Sequence, residues 1–368
     1  MSRIECRVFA GVCLLALASA PAAHAATVFC IGDETQFRSA LATVGSTFTQ
    51  DDYELRLVAR VFFNGTAAFS SQLSSNVRNL SISGGWNAAC LLRQPDPRAT
   101  VIDAQGLSAV LSITRNSAVA GITPVMSVSN LTLRNGRAAS APVGLYLYNS
   151  FGPVEVDDVI VHGHRATASQ YLGGTAITLD SSRHDIRLRN ALVYDNDGQF
   201  ISGSWPLVDV LFTSLALNPD RQFIVTNTTI DGGPGSADPA LRLQSDGHFE
   251  VFNNIIRGEA RFDVTITGAG AATAPRIRRV FNHMQAPVSN GQPVIDLESG
   301  NETGDPQLDV NHVPLPGSPV VNTGLGNPPG GQSVVDAYAR PRVAFTFIDR
   351  GALESQLDPD TLFRNGFE

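Results

Sequence analysis

Apolar and polar residues alternate along this chain in short runs that break at Gly, Asn, Asp or Pro. A period of two belongs to strands and not to helices. One register recurs six times: an apolar residue, a spacer, Asn or Asp, two spacers, an apolar residue, a spacer, then Gly, Asn or Asp. The copies are Val77-x-Asn79-x-x-Ile82-x-Gly84, Val128-x-Asn130-x-x-Leu133-x-Asn135, Val156-x-Asp158-x-x-Val161-x-Gly163, Leu188-x-Asn190-x-x-Val193-x-Asp195, Val225-x-Asn227-x-x-Ile230-x-Gly232 and Val251-x-Asn253-x-x-Ile256-x-Gly258. From Asn130 onward the anchors lie 28, 32, 37 and 26 residues apart, and the 51 residues from Asn79 to Asn130 predict two periods. Further strand-like runs sit between anchors, at Gly144-Leu145-Tyr146-Leu147, Thr175 to Leu179 and Ala240 to Leu243.

Each period therefore supplies at least two short strands and no helix long enough for a strand-helix-strand crossover. Such strands, stacked one coil per repeat, bury a continuous apolar column, and an Asn at each corner can bond to its own copies above and below. The expected fold is all-β, a single-stranded right-handed parallel β-helix whose repeats fill residues 79–310. A β-sandwich also has short strands at regular spacing, but nothing in it would hold Asn and Gly in one register over six copies. Ahead of the repeats, Asp33 followed by Gln36 resembles a capping box, and Phe37, Leu41 and Val44 share one helical face. Residues 26–78 are expected to form a short capping helix and the first coil, covering strand edges that would otherwise invite aggregation.

Residues 1–25 read as a secretory signal: Arg3 and Arg7 give the positive start, Val8 to Ala20 the apolar stretch and Ala23-His24-Ala25 the cleavage site. The protein is expected to be secreted or exposed at the cell envelope. No later stretch approaches the roughly 20 consecutive apolar residues of a membrane helix. Cys6 and Cys13 would leave with the signal, so Cys30 and Cys90 remain in an oxidising compartment and are the natural disulfide pair; two buried free thiols are the alternative.

Composition then removes several chemistries. All 26 basic residues are Arg, which excludes Schiff-base catalysis and any lysine base. A formal charge of −8 leaves no electrostatic footprint for nucleic acid. No His or Cys pair stands at zinc spacing, and Asp195-Asn196-Asp197-Gly198 begins like a calcium loop but lacks the later Glu, so a turn is expected there. No cofactor is expected; calcium is open, without a specific motif.

The run Ser83-Gly84-Gly85-Trp86-Asn87-Ala88-Ala89-Cys90, then Asp96-Pro97 and Thr100-Val101-Ile102-Asp103, resembles the early coils of bacterial exported pectin-lyase-like β-helix proteins, as does Asn130-Leu131-Thr132-Leu133-Arg134-Asn135-Gly136. Gly317-Ser318-Pro319-Val320-Val321-Asn322-Thr323-Gly324, with Arg340-Pro341 and Ile348 to Glu354, is similar to the choice-of-anchor Q closing segment, here residues 311–354. Asn322 stands where an Asp is more usual, and Arg350 and Leu353 also replace commoner residues. The last residues, Leu362 to Glu368 within a tail of 355–368, resemble a terminal tail of exported proteins. The resemblance implies an exported β-helix of undefined activity and hands over no catalytic residue.

Stacking the repeats at about 4.8 Å per coil brings outward columns together. Glu155 and Asp157 would lie beside Arg187 and Arg189, a carboxylate pair against an arginine pair. This is similar to the surface on which β-helix lyases abstract a proton from uronic acids, and also what a plain ladder of surface ion pairs would look like. Four positions after the anchor, Arg134, His162, Tyr194, Asp231 and Arg257 form a polar and aromatic row suited to a sugar groove. The leading expectation is a non-catalytic, monomeric surface or extracellular protein contacting glycans or other cells. A polysaccharide lyase or hydrolase acting on acidic polysaccharides is the alternative.

Overall fold

In the computed structural model, the structure describes residues 25–138, 142–166, 175–182, 184–196, 208–211, 221–232, 239–245, 247–264, 276–290, 294–345 and 347–356. Nearly all of the expected signal sequence and the tail from 357 onward lie outside the described residues. The two-residue alternation produces parallel strands arranged as three ladders, and the chain visits them in turn. The first ladder holds Thr27–Ile31, Asp52–Val58, Asn79–Trp86, the first halves of Met126–Arg134, Val154–His162 and Ile186–Tyr194, then Gln222–Thr226, His248–Phe252, Arg276–Val280 and Val294–Ser299. The second holds Val61–Phe63, Val101–Asp103, the second halves of the same three nine-residue strands, Thr229–Asp231 and the starts of Ile255–Val264 and His283–Asn290. The third runs from Phe69–Gln72 through Leu111–Arg115, Leu145–Asn149, Ile177–Ser181, Val208–Leu211 and Pro239–Ser245 to the ends of Ile255–Val264 and His283–Asn290. Each circuit thus passes through three ladders in two or three strands, where the repeat spacing required at least two.

The recurring Asn, Asp and Gly sit where the backbone turns left-handed. Asn130, Asp158, Asn190, Asn227 and Asn253 all have φ between 49° and 56°, and Asn135, Gly163, Asp195 and Gly258 repeat the positive φ five residues on. Cβ crowding makes this region costly for most residues, while Asn, Asp and Gly accept it. The first corner turns the chain from the first ladder into the second, and the later one turns it out of the second. The predicted bonds between copies occur at Asn190 to Asp158, 2.7 Å, and at Asn253 to Asn227, 3.1 Å.

Two details of the register differ from expectation. Ile82 pairs with Val128, so the corner of that circuit falls on Gly84 and Gly85, the latter at φ 82°, and not on Asn79. A Cβ at Gly85 would overlap the Gln94 carbonyl and the Asn130 amide, which explains the glycine. Asn79 instead donates to Asp52 and accepts from the Val125 N–H. The stretch from Asn79 to Asn130 also contains one circuit and not two, because Asn79–Trp86 pairs directly with Met126–Arg134. Part of the added length is an excursion between Trp86 and Val101, pinned by the Cys30–Cys90 disulfide.

Inward positions stack into one apolar column. Leu55, Ile82, Val128, Val156, Leu188, Val225 and Val251 are successive partners in the first ladder, and all are buried. Each such side chain contributes about 1.5–3 kcal/mol by leaving water. At the start of the stack, helix Glu34–Ser46 is capped by Asp33, whose carboxylate accepts the Gln36 N–H at 2.8 Å. Its buried face of Phe37, Ala40, Leu41 and Val44 closes the column, Phe37 packing on Phe62 and Phe69.

Residues 301–356 join the ladders through a single bridge, between Glu302 and His283, and otherwise make only isolated bridges within the segment. They lie along the side of the stack, over the corner column. Asn253 accepts the Leu325 N–H and donates to its carbonyl, Ser333 donates to Asp158, and Ala352 N–H donates to the Thr229 hydroxyl. Ala337, Ala352 and Leu353 bury against Ile160 and Leu192. The segment is held by a buried arginine: Arg342 meets Glu354 at 3.3 Å and donates to the Asp349 and Gly351 carbonyls. The residues that depart from the resembled pattern have local partners. Asn322 takes a left-handed φ of 54°, Arg350 meets Glu302 at 3.0 Å, and Leu353 joins the apolar seam.

Candidate functional site

The register brings Glu155 opposite Arg187 and Asp157 opposite Arg189. Arg187 reaches both carboxylates, Glu155 at 3.0 Å and Asp157 at 3.2 Å, while Arg189 binds Asp157 at 2.9 Å. These four side chains pair with one another, although the Arg187 Nε is left without a partner among the described residues. Arg189 also donates to the Gly330 carbonyl, and the Gly330–Gly331 turn lies against Arg187 and Arg189. The row is a ladder of partly exposed ion pairs with the Gly330–Gly331 turn over one end.

The other predicted row has a different setting. Arg134, His162 and Tyr194 are consecutive register partners, and the His162 and Tyr194 rings stack 4.8 Å apart and 2° from parallel. Tyr194 next meets His312 of the C-terminal segment at 4.4 Å. Because the rings cover each other's faces, their polar edges point outward. With Tyr338 and Arg340 from the C-terminal segment and Arg98 from the disulfide-pinned excursion, Arg134, His162 and Tyr194 line a cleft of about 570 Å³. Its guanidinium groups are tethered, Arg98 to Asp96, Arg134 to Asp103 and Arg340 to Asp336. Asp231 stands in the same row but does not reach the cleft: it is buried, and binds Arg257 at 2.9 Å and His312 at 2.9 Å.

Ionisation follows from burial. Tyr338 is pushed up to about 12 by burial and then by its neighbour Tyr194, and Tyr194 is raised for the same first reason. His162 is lowered by burial and by Arg134. At neutral pH the cleft holds protonated phenols and an uncharged imidazole, which are hydrogen-bonding groups and poor matches for a tyrosine base.

Repeat spacing found Arg134, His162 and Tyr194. It missed Arg98, Tyr338, Arg340 and His312, whose contacts cross more than a hundred residues of chain in most cases and leave no periodic signal. It also missed an inner ladder of Asn254, Asn282 and Asn301, in which each side-chain oxygen accepts from the preceding circuit. Of the expected turn, Asp195 takes a left-handed φ and Asn196 bonds His164 and Val161; Asp197 and Gly198 lie outside the described residues.

Among the described residues no group of three or more His, Cys, Asp or Glu is placed to hold a metal ion, and no helix is long and apolar enough to cross a membrane. Compared with protein families, with curated proteins and with solved structures, the chain matches none.

Proposed function

We propose that this chain is an exported right-handed parallel β-helix of the pectin-lyase-like kind with a choice-of-anchor Q segment, which binds glycans through the Arg134, His162 and Tyr194 cleft without degrading them. It acts as a monomer, without a cofactor, outside the cell or at its envelope. Three ladders visited in turn support the fold, and parallel crossovers are right-handed in about 98% of cases. The Cys30–Cys90 bond suits an oxidising compartment.

The observation that carries the glycan reading is the composition of the cleft wall: phenol and imidazole edges and tethered guanidiniums, with no carboxylate side chain among the described lining residues. A glycoside hydrolase of the common kind works with two carboxylates flanking the bond, whereas hydroxyl-rich ligands are held by edges and N–H groups such as these. A polysaccharide panel assayed for binding and for depolymerisation, with and without calcium, tests it. Binding without chain shortening is expected. Glycan silence, unchanged by Tyr194→Ala, or release of unsaturated sugars would refute it.

A further inference from the structure

Beside the cleft, on the far side of the Arg134–Asp103 ion pair, lies a second hollow of about 630 Å³. Arg134 lines the cleft and Asp103 lines the hollow, so one ion pair is the wall they share. The hollow sits where the chain leaves the second ladder, and two arginines stand over it. Arg137 and Arg165 are direct register partners in the short parallel pairing of Arg137–Ala138 with Arg165–Ala166. Like charges placed directly opposite repel, a cost that a bound anion would remove.

The two arginines are not equivalent. Arg165 is fixed by the Asp195 carboxylate at 3.1 Å and by the carbonyls of Asp195 and His164. Arg137 is exposed, and its guanidinium has no partner among the described residues. Asp103 does not oppose an anion strongly, since Arg134, the Asn135 amide and the Gln105 N–H already occupy its oxygens. Among the described residues lining the hollow two guanidiniums, of Arg137 and Arg165, face one carboxylate, of Asp103, in a chain whose formal charge is −8. A local positive excess on an acidic protein selects for a charged group delivered to that spot, not for polyanions in general.

We infer that the Arg137–Arg165 hollow is an anion subsite, which takes a carboxylate or sulfate substituent of a glycan whose neighbouring sugar occupies the tyrosine cleft. The inference rests on the glycan reading of the cleft. The Arg137 fork donates to the anion, and Arg165, held in place by Asp195, supplies the second positive charge.

Titration calorimetry with three oligosaccharides of matched backbone, one neutral, one carrying a uronate and one a sulfate, tests it on the full chain and on Arg137→Ala and Tyr194→Ala. The unmodified protein is expected to bind an anionic ligand at least about tenfold tighter than the neutral one, the equivalent of one charge-assisted contact. Arg137→Ala, an exposed change that leaves no buried group unpaired, should erase the preference while keeping neutral binding. Tyr194→Ala should weaken all three. The uronate and sulfate arms tell the two anions apart. Equal binding of neutral and anionic ligands, or a preference that survives in Arg137→Ala, overturns the subsite and leaves the cleft standing. Failure of all three to bind overturns both.

Discussion

Two rows of outward side chains share the nine-residue strands Val154–His162 and Ile186–Tyr194, five to seven residues apart in sequence, and they come to opposite ends. In the row of Glu155, Asp157, Arg187 and Arg189, neighbours of opposite charge meet at each step and pair with each other, with the Gly330 carbonyl as a further acceptor. In the row of Arg134, His162 and Tyr194, neighbours stack, and stacking leaves ring edges unspent. The C-terminal segment then roofs part of the first row and builds a wall for the second. Charge complementarity along a column consumes the groups a ligand would need, whereas aromatic stacking fixes rings in place and keeps their polar edges free.

The largest test of this contrast is to remove the segment's anchor. Arg342→Ala leaves Glu354, which burial pushes up to about 8, without its partner. The buried Asp349 and Gly351 carbonyls lose their donor as well, and each buried group left unpaired costs about 1–3 kcal/mol. Hydrogen exchange should show amides of 349–355 opening, and glycan binding should fall as Tyr338 and Arg340 leave the cleft, while the Arg187 and Arg189 pairs persist. Loss of binding without opening of the segment would break the link.

The two histidines bordering the second row sharpen the comparison through pH. His164, two residues from His162, is fully enclosed, its Nδ1 accepting the Gly136 N–H at 2.9 Å, and burial lowers it to about 3. An unfolded imidazole titrates near 6.5, so between those values the unfolded chain takes up the proton and the folded chain does not. Stability should therefore fall as pH drops from about 6.5 towards about 3, by on the order of 4 kcal/mol at the low end. Urea titrations across that range, repeated on His164→Gln, check the sign; a variant with the same slope would assign the loss elsewhere.

A smaller effect belongs to the disulfide, which holds the excursion carrying Arg98 to the cleft. Its loss, in Cys30→Ser with Cys90→Ser, should cost about 2–4 kcal/mol by denaturant unfolding. Smallest of all, a double-mutant cycle on Asp157 and Arg189 should give below about 1 kcal/mol, since both groups keep contact with water.

The repeat was legible because its cause is local. Left-handed corners demand Asn, Asp or Gly wherever they occur, and inward strand positions demand aliphatics, so Asn130, Asp158, Asn190, Asn227 and Asn253 announced themselves. The first copy misled because Gly84, the true corner, also satisfied the last position of the motif set on Asn79. The cap was readable from Asp33, Gln36 and the Phe37 face for the same local reason. The cleft was half readable: its floor repeats with the coils, but Tyr338 and Arg340 come from a segment with no period, laid back over circuits a hundred or more residues earlier. Nothing in the spacing of Glu155, Asp157, Arg187 and Arg189 distinguished a proton-abstracting surface from a closed set of ion pairs. The observed distances are those of a ladder of ion pairs.

The most direct measurement sets the two rows against each other on one polysaccharide panel, comparing the native chain with Tyr194→Ala and Arg187→Ala for binding and for release of unsaturated sugars. The account predicts binding without release, weakened by Tyr194→Ala and retained by Arg187→Ala. Release of unsaturated sugars by the native chain, lost in Arg187→Ala, would contradict it.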